Sequence, residues 1–120
     1  MYGSYEHRSM PIAPTRGEVW SAELTPGNGQ LVVIVQNETA EIVGTTIIVP
    51  LIEDPSKVGI ATNVSIPAEE ESGISRPCVA ICPLLRAVPI RRLRVREGRL
   101  SREKLSEIEQ RVAFLLGLPG

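Results

Sequence analysis

Arginine is the residue whose number and placement most invite a chemical reading. Eleven of the thirteen basic residues are arginine, whose planar fork grips phosphate or carboxylate through paired hydrogen bonds. They are unevenly spread. Residues 1–75 hold three basic and ten acidic side chains, a net of −7, whereas residues 76–120 hold ten basic and four acidic, a net of +6. Arg86, Arg91, Arg92, Arg94 and Arg96 are the densest part of that basic half. Such a half suits an RNA-binding face, or one that grips an acidic partner peptide. A solvated arginine-rich strand and helix would give the same composition, which does not choose between them.

Other chemistries have little support. Cys78 and Cys82 cannot make a zinc site, because the only histidine is His7 and there are no further thiols. In an extended strand they share a face but lie too far apart for a disulfide, so buried free thiols are expected. The run Glu69-Glu70-Glu71 has nothing beside it to desolvate one carboxyl and split an acid from a base. It reads as a solvated loop, and His7 as a solvated side chain. Aromatic residues are only 3% of the chain, which leaves few platforms for stacking bases.

The elements that must position these groups centre on two apolar runs, residues 31–35 (LVVIV) and 45–51 (TTIIVPL). Their β-branched residues favour a pleated surface. Neither run alternates apolar with polar, so both faces should be covered, as in the central strands of a small sheet. Before them, Trp20, Ala22 and Leu24 fall on one face of a first strand over residues 16–24. Residues 25–29 (TPGNG) are turn chemistry that returns the chain antiparallel.

After the central pair, Val58, Ile60, Thr62, Val64 and Ile66 alternate with smaller or polar residues, which predicts a one-sided strand. Residues 77–85 are apolar and bracketed by prolines, which suggests an edge strand or a bulge. Residues 90–100 alternate Leu93 and Val95 with Arg92, Arg94 and Arg96. Ser101 is a natural N-cap, and Leu105, Ile108, Val112 and Leu115 follow at 3-4-3 spacing as a helix stripe over residues 101–116. Glu107 and Arg111 are spaced for an i,i+4 pair. Gly117 and Pro119 supply the stop.

The sum is a mainly β domain, a barrel-like antiparallel sheet with a C-terminal helix. Residues 1–14 form a leader without periodicity, and residues 15–118 a single domain. No apolar run has the length of a membrane span and no signal peptide precedes the first strand, so a cytoplasmic protein is expected.

In order, these segments resemble the MazF/PemK family of toxins. The likeness is carried by residues 16–20 (RGEVW), by the valine-rich strand ending in Asn37, and by the IIVPL strand. It continues through residues 78–82 (CVAIC) with Arg86-Ala87-Val88, then Arg92-Leu93. Residues 98–101 (GRLS) lead into a helix that ends Leu-Gly-Leu118. The resemblance implies an SH3-like barrel of the MazF–CcdB type, paired into a homodimer. It implies cleavage of single-stranded RNA without metal or cofactor, and an antitoxin whose acidic tail occupies the same groove.

Such cleavage needs a base for the 2′-hydroxyl, an acid for the leaving oxygen and a cation for the phosphorane. Many members supply these with an Arg-Pro pair opening the second strand and a Thr after the Pro-Leu of the third. Others use an acidic residue beside the later cysteine. Here Gln30-Leu31, Ile52 and Pro83 stand at those positions.

Three functions follow as expectations. The first is a toxin of feeble RNA-cleaving activity, with Arg86 on the phosphate charge, Gln30 orienting it and Thr46 the remaining hydroxyl. Arg91, Arg92, Arg94 and Arg96 would then track the RNA backbone on one positive surface shared with Arg86. The second is a catalytically silent protein that binds antitoxin, RNA or another protein through the dimer groove. The third is a gyrase poison of the same architecture, which no residue favours.

Overall fold

A computed structural model describes residues 13–38 and 43–119; the expected leader lies, apart from Ala13 and Pro14, outside the described residues. The chain runs β1 (Glu18–Thr25), β2 (Asn28–Ile34), β3 (Thr45–Ile52), β4 (Asn63–Ile66), β5 (Cys78–Ile81), β6 (Arg86–Pro89), β7 (Leu93–Arg99) and α1 (Arg102–Leu116). The strands make one sheet in the order β4-β5-β3-β2-β1-β7, with β6 also paired to β3. Every pairing is antiparallel. The sheet is strongly barrel-like without closing, since β4 and β7 remain its two ends.

The unbroken apolar runs are explained by cover on both sides. Val33, Val49 and Leu51 point into one cluster with Val19, Val64, Ile66, Ala80, Leu100 and Ile108. Val32, Ile34 and Ile48 point the other way, against Trp20, Ala22, Val88 and Leu93. The pleat sends successive residues to opposite faces, so β2 and β3 feed two cores at once. Burying each such side chain is worth roughly 1.5–3 kcal/mol.

Turn and cap residues act where the sequence placed them. Gly27 has φ 80° after Pro26, the arrangement of a type II turn, which needs positive φ at its third position. The Ser101 side chain accepts the Lys104 N–H at 3.1 Å, and Gly117 closes α1 at φ 70°. Ile108 carries the helix into the first core with no exposure. Glu107 pairs with Lys104 at 3.2 Å instead of Arg111.

Three expectations need correction. The strand over residues 58–66 exists only as β4; residues 55–57 form a 3-10 turn, and Val58 and Ile60 are exposed. Gly59 at φ 83° turns the chain where an extended strand cannot. Residues 77–85 contribute β5, which lies inside the sheet between β4 and β3. The prolines end this strand, with Cys82–Leu84 winding into a 3-10 turn. β6, whose four residues are too short to display a period, has no counterpart in the sequence reading, and Ile90–Arg92 is a 3-10 turn before β7.

The acidic loop is fastened at its base. Ser72 is buried and donates its hydroxyl to the Glu69 carbonyl at 2.9 Å, and the Arg99 N–H donates to the Glu71 carbonyl at 2.9 Å. A side chain on Gly98 would stand 2.4 Å from the Glu71 carbonyl oxygen, and one on Gly73 would stand 2.3 Å from that of Glu97. Two backbones touch there, with Glu69, Glu70 and Glu71 turned outward.

Candidate functional site

The cleft that gathers the polar residues of interest continues the second core layer to its open end. Along β1, Trp20 and Ala22 lead to Leu24; along β2, Ile34 and Val32 lead to Gln30. Along β3, Ile48 leads to Pro50 and Ile52. At this end the packing stops and about 290 Å³ of cleft remains, lined by Leu24, Thr25, Asn28, Gln30, Ile52 and Arg86, with Gly29, Pro50 and Leu84. Its size sits just below the roughly 300–1,000 Å³ of most ligand pockets, enough for about one nucleotide.

The opening follows from the pairing of β3. One edge of β3 pairs with β6 from Thr45 to Ile48, and with β5 at Leu51 and Ile52. Between the two lies Pro50, which has no N–H to give a ladder. The 3-10 turn Cys82–Leu84 bridges β5 to β6 and brings Leu84 and Arg86 to the cleft. On the other edge of β3, pairing with β2 ends at Leu31 and Leu51. Just past that pair the Gln30 side chain takes over, donating from Nε2 to the Leu31 carbonyl at 3.0 Å and the Leu51 carbonyl at 2.6 Å.

Arg86 is exposed, and none of the ion pairs or hydrogen bonds among the described residues involves its side chain. Among the described residues it is the only ionisable one lining the cleft. The site therefore offers a cation among apolar walls, together with the neutral polar side chains of Thr25, Asn28 and Gln30. Among the described residues, neither a carboxylate nor a histidine lines the cleft to move a proton.

The other sites expected from the sequence fall elsewhere. Thr46 is buried, paired with Val88; six residues of strand, about 20 Å, separate it from Ile52 and it does not line the cleft. Pro83 is exposed on the 3-10 turn beside Leu84 and is not a lining residue either. The β7 arginines are held by β1. Arg94 pairs with Glu23 at 2.6 Å, and Arg96 pairs with Glu18 at 2.7 Å. Arg92 lies 3.5 Å from the Glu23 carbonyl, to which it donates, and Arg91 gives its own carbonyl to Arg94 at 2.6 Å. Much of the basic half is thus neutralised by the acidic half.

Glu18 anchors this network. It is buried and accepts from the Thr15 N–H at 2.8 Å and Trp20 Nε1 at 3.0 Å as well as from Arg96. Burial, the largest influence, favours the neutral acid. The hydrogen bonds from Thr15, Arg96 and Trp20 together outweigh it and hold the carboxyl at about 2. Glu18 was not singled out in the sequence; the matching charges of the two halves were the available signal.

The cysteines are free and buried, and burial pushes both thiols up to about 11, far from the thiolate a nucleophile or metal ligand needs. No group of three or more potential metal ligands occurs among the described residues. A larger groove, about 710 Å³, lies between β4, β5 and the 55–57 turn. Its Glu53 and Arg76 face each other at 3.6 Å, and none of Gln30, Ile52 and Arg86 reaches it. Asp54 and Lys104 also line that groove, whereas Gln30, Ile52 and Arg86 gather in the smaller cleft.

Residues 15–116 match the model of the PemK-like, MazF-like toxins of type II toxin–antitoxin systems. The chain belongs to this family. The endoribonuclease MazF of Staphylococcus epidermidis is 31% identical over 110 residues, covering 86% of this chain and 91% of that relative. Two solved structures share the family fold. An endoribonuclease in complex with its cognate antitoxin from mycobacterial species has a TM-score of 0.72 at 20% identity, covering 92% of this chain and 99% of that one. A MazE–MazF structure from Deinococcus radiodurans has a TM-score of 0.75 at 16% identity, covering 91% and 100%.

Proposed function

We propose that this family member is a toxin that takes single-stranded RNA into the Gln30–Ile52–Arg86 cleft and cleaves it feebly. The observation that carries the reading is the unpaired Arg86 in a cleft otherwise lined by groups that cannot titrate. Arg86 can hold a phosphate and stabilise the charge of a phosphorane. No described lining residue can take the 2′-hydroxyl proton, and Ile52 has no hydroxyl to offer. A missing acid or base typically costs about 10²–10⁴ in rate, a missing charge-stabilising donor about 10²–10³. The relative in Staphylococcus epidermidis bears the name endoribonuclease, which supports RNA as the substrate class.

The working unit in this reading is the domain over residues 15–118, acting as a cytoplasmic homodimer without metal or cofactor. Among the described residues, no helix is long and apolar enough to cross a membrane. An antitoxin with an acidic tail would compete for the cleft through Arg86; an antitoxin as partner is supported by the mycobacterial endoribonuclease solved with its cognate antitoxin. The cleft's lack of a proton-transfer group also supports a second reading, a silent protein that binds RNA or antitoxin there without chemistry.

The deciding experiment incubates purified protein with single-stranded RNA beside an Arg86→Ala preparation. Slow cleavage lost in the variant supports the first reading, and RNA or antitoxin binding without cleavage supports the second. Vigorous cleavage that survives changes at both Gln30 and Arg86 places the site elsewhere.

A further inference from the structure

Gln30 lines the cleft, yet its amide group is already committed. A glutamine carries two side-chain N–H donors and one acceptor oxygen. Nε2 donates to the Leu31 carbonyl at 3.0 Å and to the Leu51 carbonyl at 2.6 Å, so both donors are used. Because both partners are carbonyls, the orientation of the amide is fixed: a flip would set oxygen against oxygen. Among the described residues nothing donates to Oε1. The polar atom that Gln30 leaves for a ligand is an acceptor.

An acceptor repels phosphate oxygens. Arg86 and Gln30 therefore present two complementary functions, one for an anion and one for a hydrogen-bond donor, beside the neutral side chains of Thr25 and Asn28. Leu24, Pro50, Ile52 and Leu84 supply apolar walls between them.

We infer that Gln30 is a specificity residue. Its Oε1 accepts a hydrogen bond from a donor on the nucleotide whose phosphate Arg86 holds, either the ribose 2′-hydroxyl or a base N–H. This inference rests on the RNA reading of the cleft. It reverses the expectation that Gln30 orients phosphate. The neighbouring carbonyls also explain what an arginine would change: with five donors it can satisfy Leu31 and Leu51 and still aim three at a phosphate.

The test is fluorescence anisotropy with a short single-stranded oligoribonucleotide, its all-2′-deoxy counterpart and a version with abasic sites. Each is titrated with the wild type, Gln30→Arg and Arg86→Ala. One net hydrogen bond predicts that wild type binds either the deoxy or the abasic probe about three- to ten-fold more weakly than the parent, and which probe suffers names the donor. Gln30→Arg should bind all three more tightly and lose that preference. Equal wild-type affinity for all three, with binding still lost in Arg86→Ala, overturns the inference and leaves the cleft reading standing. RNA binding that is absent, or untouched by Arg86→Ala, overturns both. The decisive comparison uses unmodified protein, so it survives a Gln30 variant that folds poorly.

Discussion

Two regions of this molecule carry arginine, and they differ in what stands opposite. On the β1–β7 ribbon, Arg94 and Arg96 meet Glu23 and Glu18 at 2.6 and 2.7 Å. In the cleft, Arg86 meets no carboxylate among the described residues. The guanidinium is the same. On the ribbon its charge is spent on joining two strands distant in sequence; in the cleft it is left for a ligand. A count of arginines cannot separate these cases, whereas the identity of the cross-strand neighbour does.

The comparison breaks most visibly if the cleft can be given what it lacks. Gln30→Arg combined with Ile52→Thr should raise RNA cleavage by about 10²–10³ if one charge-stabilising donor is regained; unchanged rates in a gel assay would mean the scaffold does not position a scissile phosphate. On the ribbon, the largest effect is on stability. Glu18 sits at about 2 in the folded chain against an ordinary 4.5. Its contribution is therefore complete above 4.5 and is lost as pH falls through 4.5 toward 2. Linkage makes this about 3 kcal/mol. Urea unfolding at pH 7 and pH 3 should show about 2 kcal/mol of that loss, because pH 3 still lies above the folded value, and Glu18→Gln should flatten most of it.

Smaller effects sharpen the contrast. If Arg86, Arg91 and Arg92 make the RNA contacts, the log–log salt slope of binding should be no steeper than about −2. Five engaged arginines would give about −3.5. The smallest effect belongs to Arg94→Ala, which should leave RNA affinity unchanged. A clear loss in the same anisotropy titration would mean that RNA displaces Glu23.

Much of the fold was legible because its signals are local. The two-sided apolar runs of β2 and β3, the Pro26-Gly27 turn and the Ser101 and Gly117 caps are each written within a few residues. β6 was not legible, since Arg-Ala-Val-Pro is too short to show a period. Residues 58–62 misled because their alternation is that of a strand while Gly59 turns the chain. The meeting of Gln30, Ile52 and Arg86 in one cleft could be anticipated from the resemblance and the strand register. Two other facts depend on tertiary geometry: the spending of Gln30's donors where β2 and β3 part, and the neutralising of β7 by a strand some seventy residues earlier. Thr46 lies on the same face of β3 as Ile52, and only its distance along the strand removes it from the site.

The contact between the glutamate loop and β7 has a consequence for solubility. β7 ends the sheet, and an unguarded end strand is a template on which a second chain can build. The Glu71 carbonyl already occupies the Arg99 N–H, and three outward glutamates surround the spot. Gly98 permits that approach because anything larger would strike the loop. A Gly98→Val chain should therefore fail mainly by forming concentration-dependent, thioflavin-positive aggregates, even if its residual monomer stays folded. One edge hydrogen-bonding position of β7 is guarded by that turn, and the turn is held by the absence of a side chain.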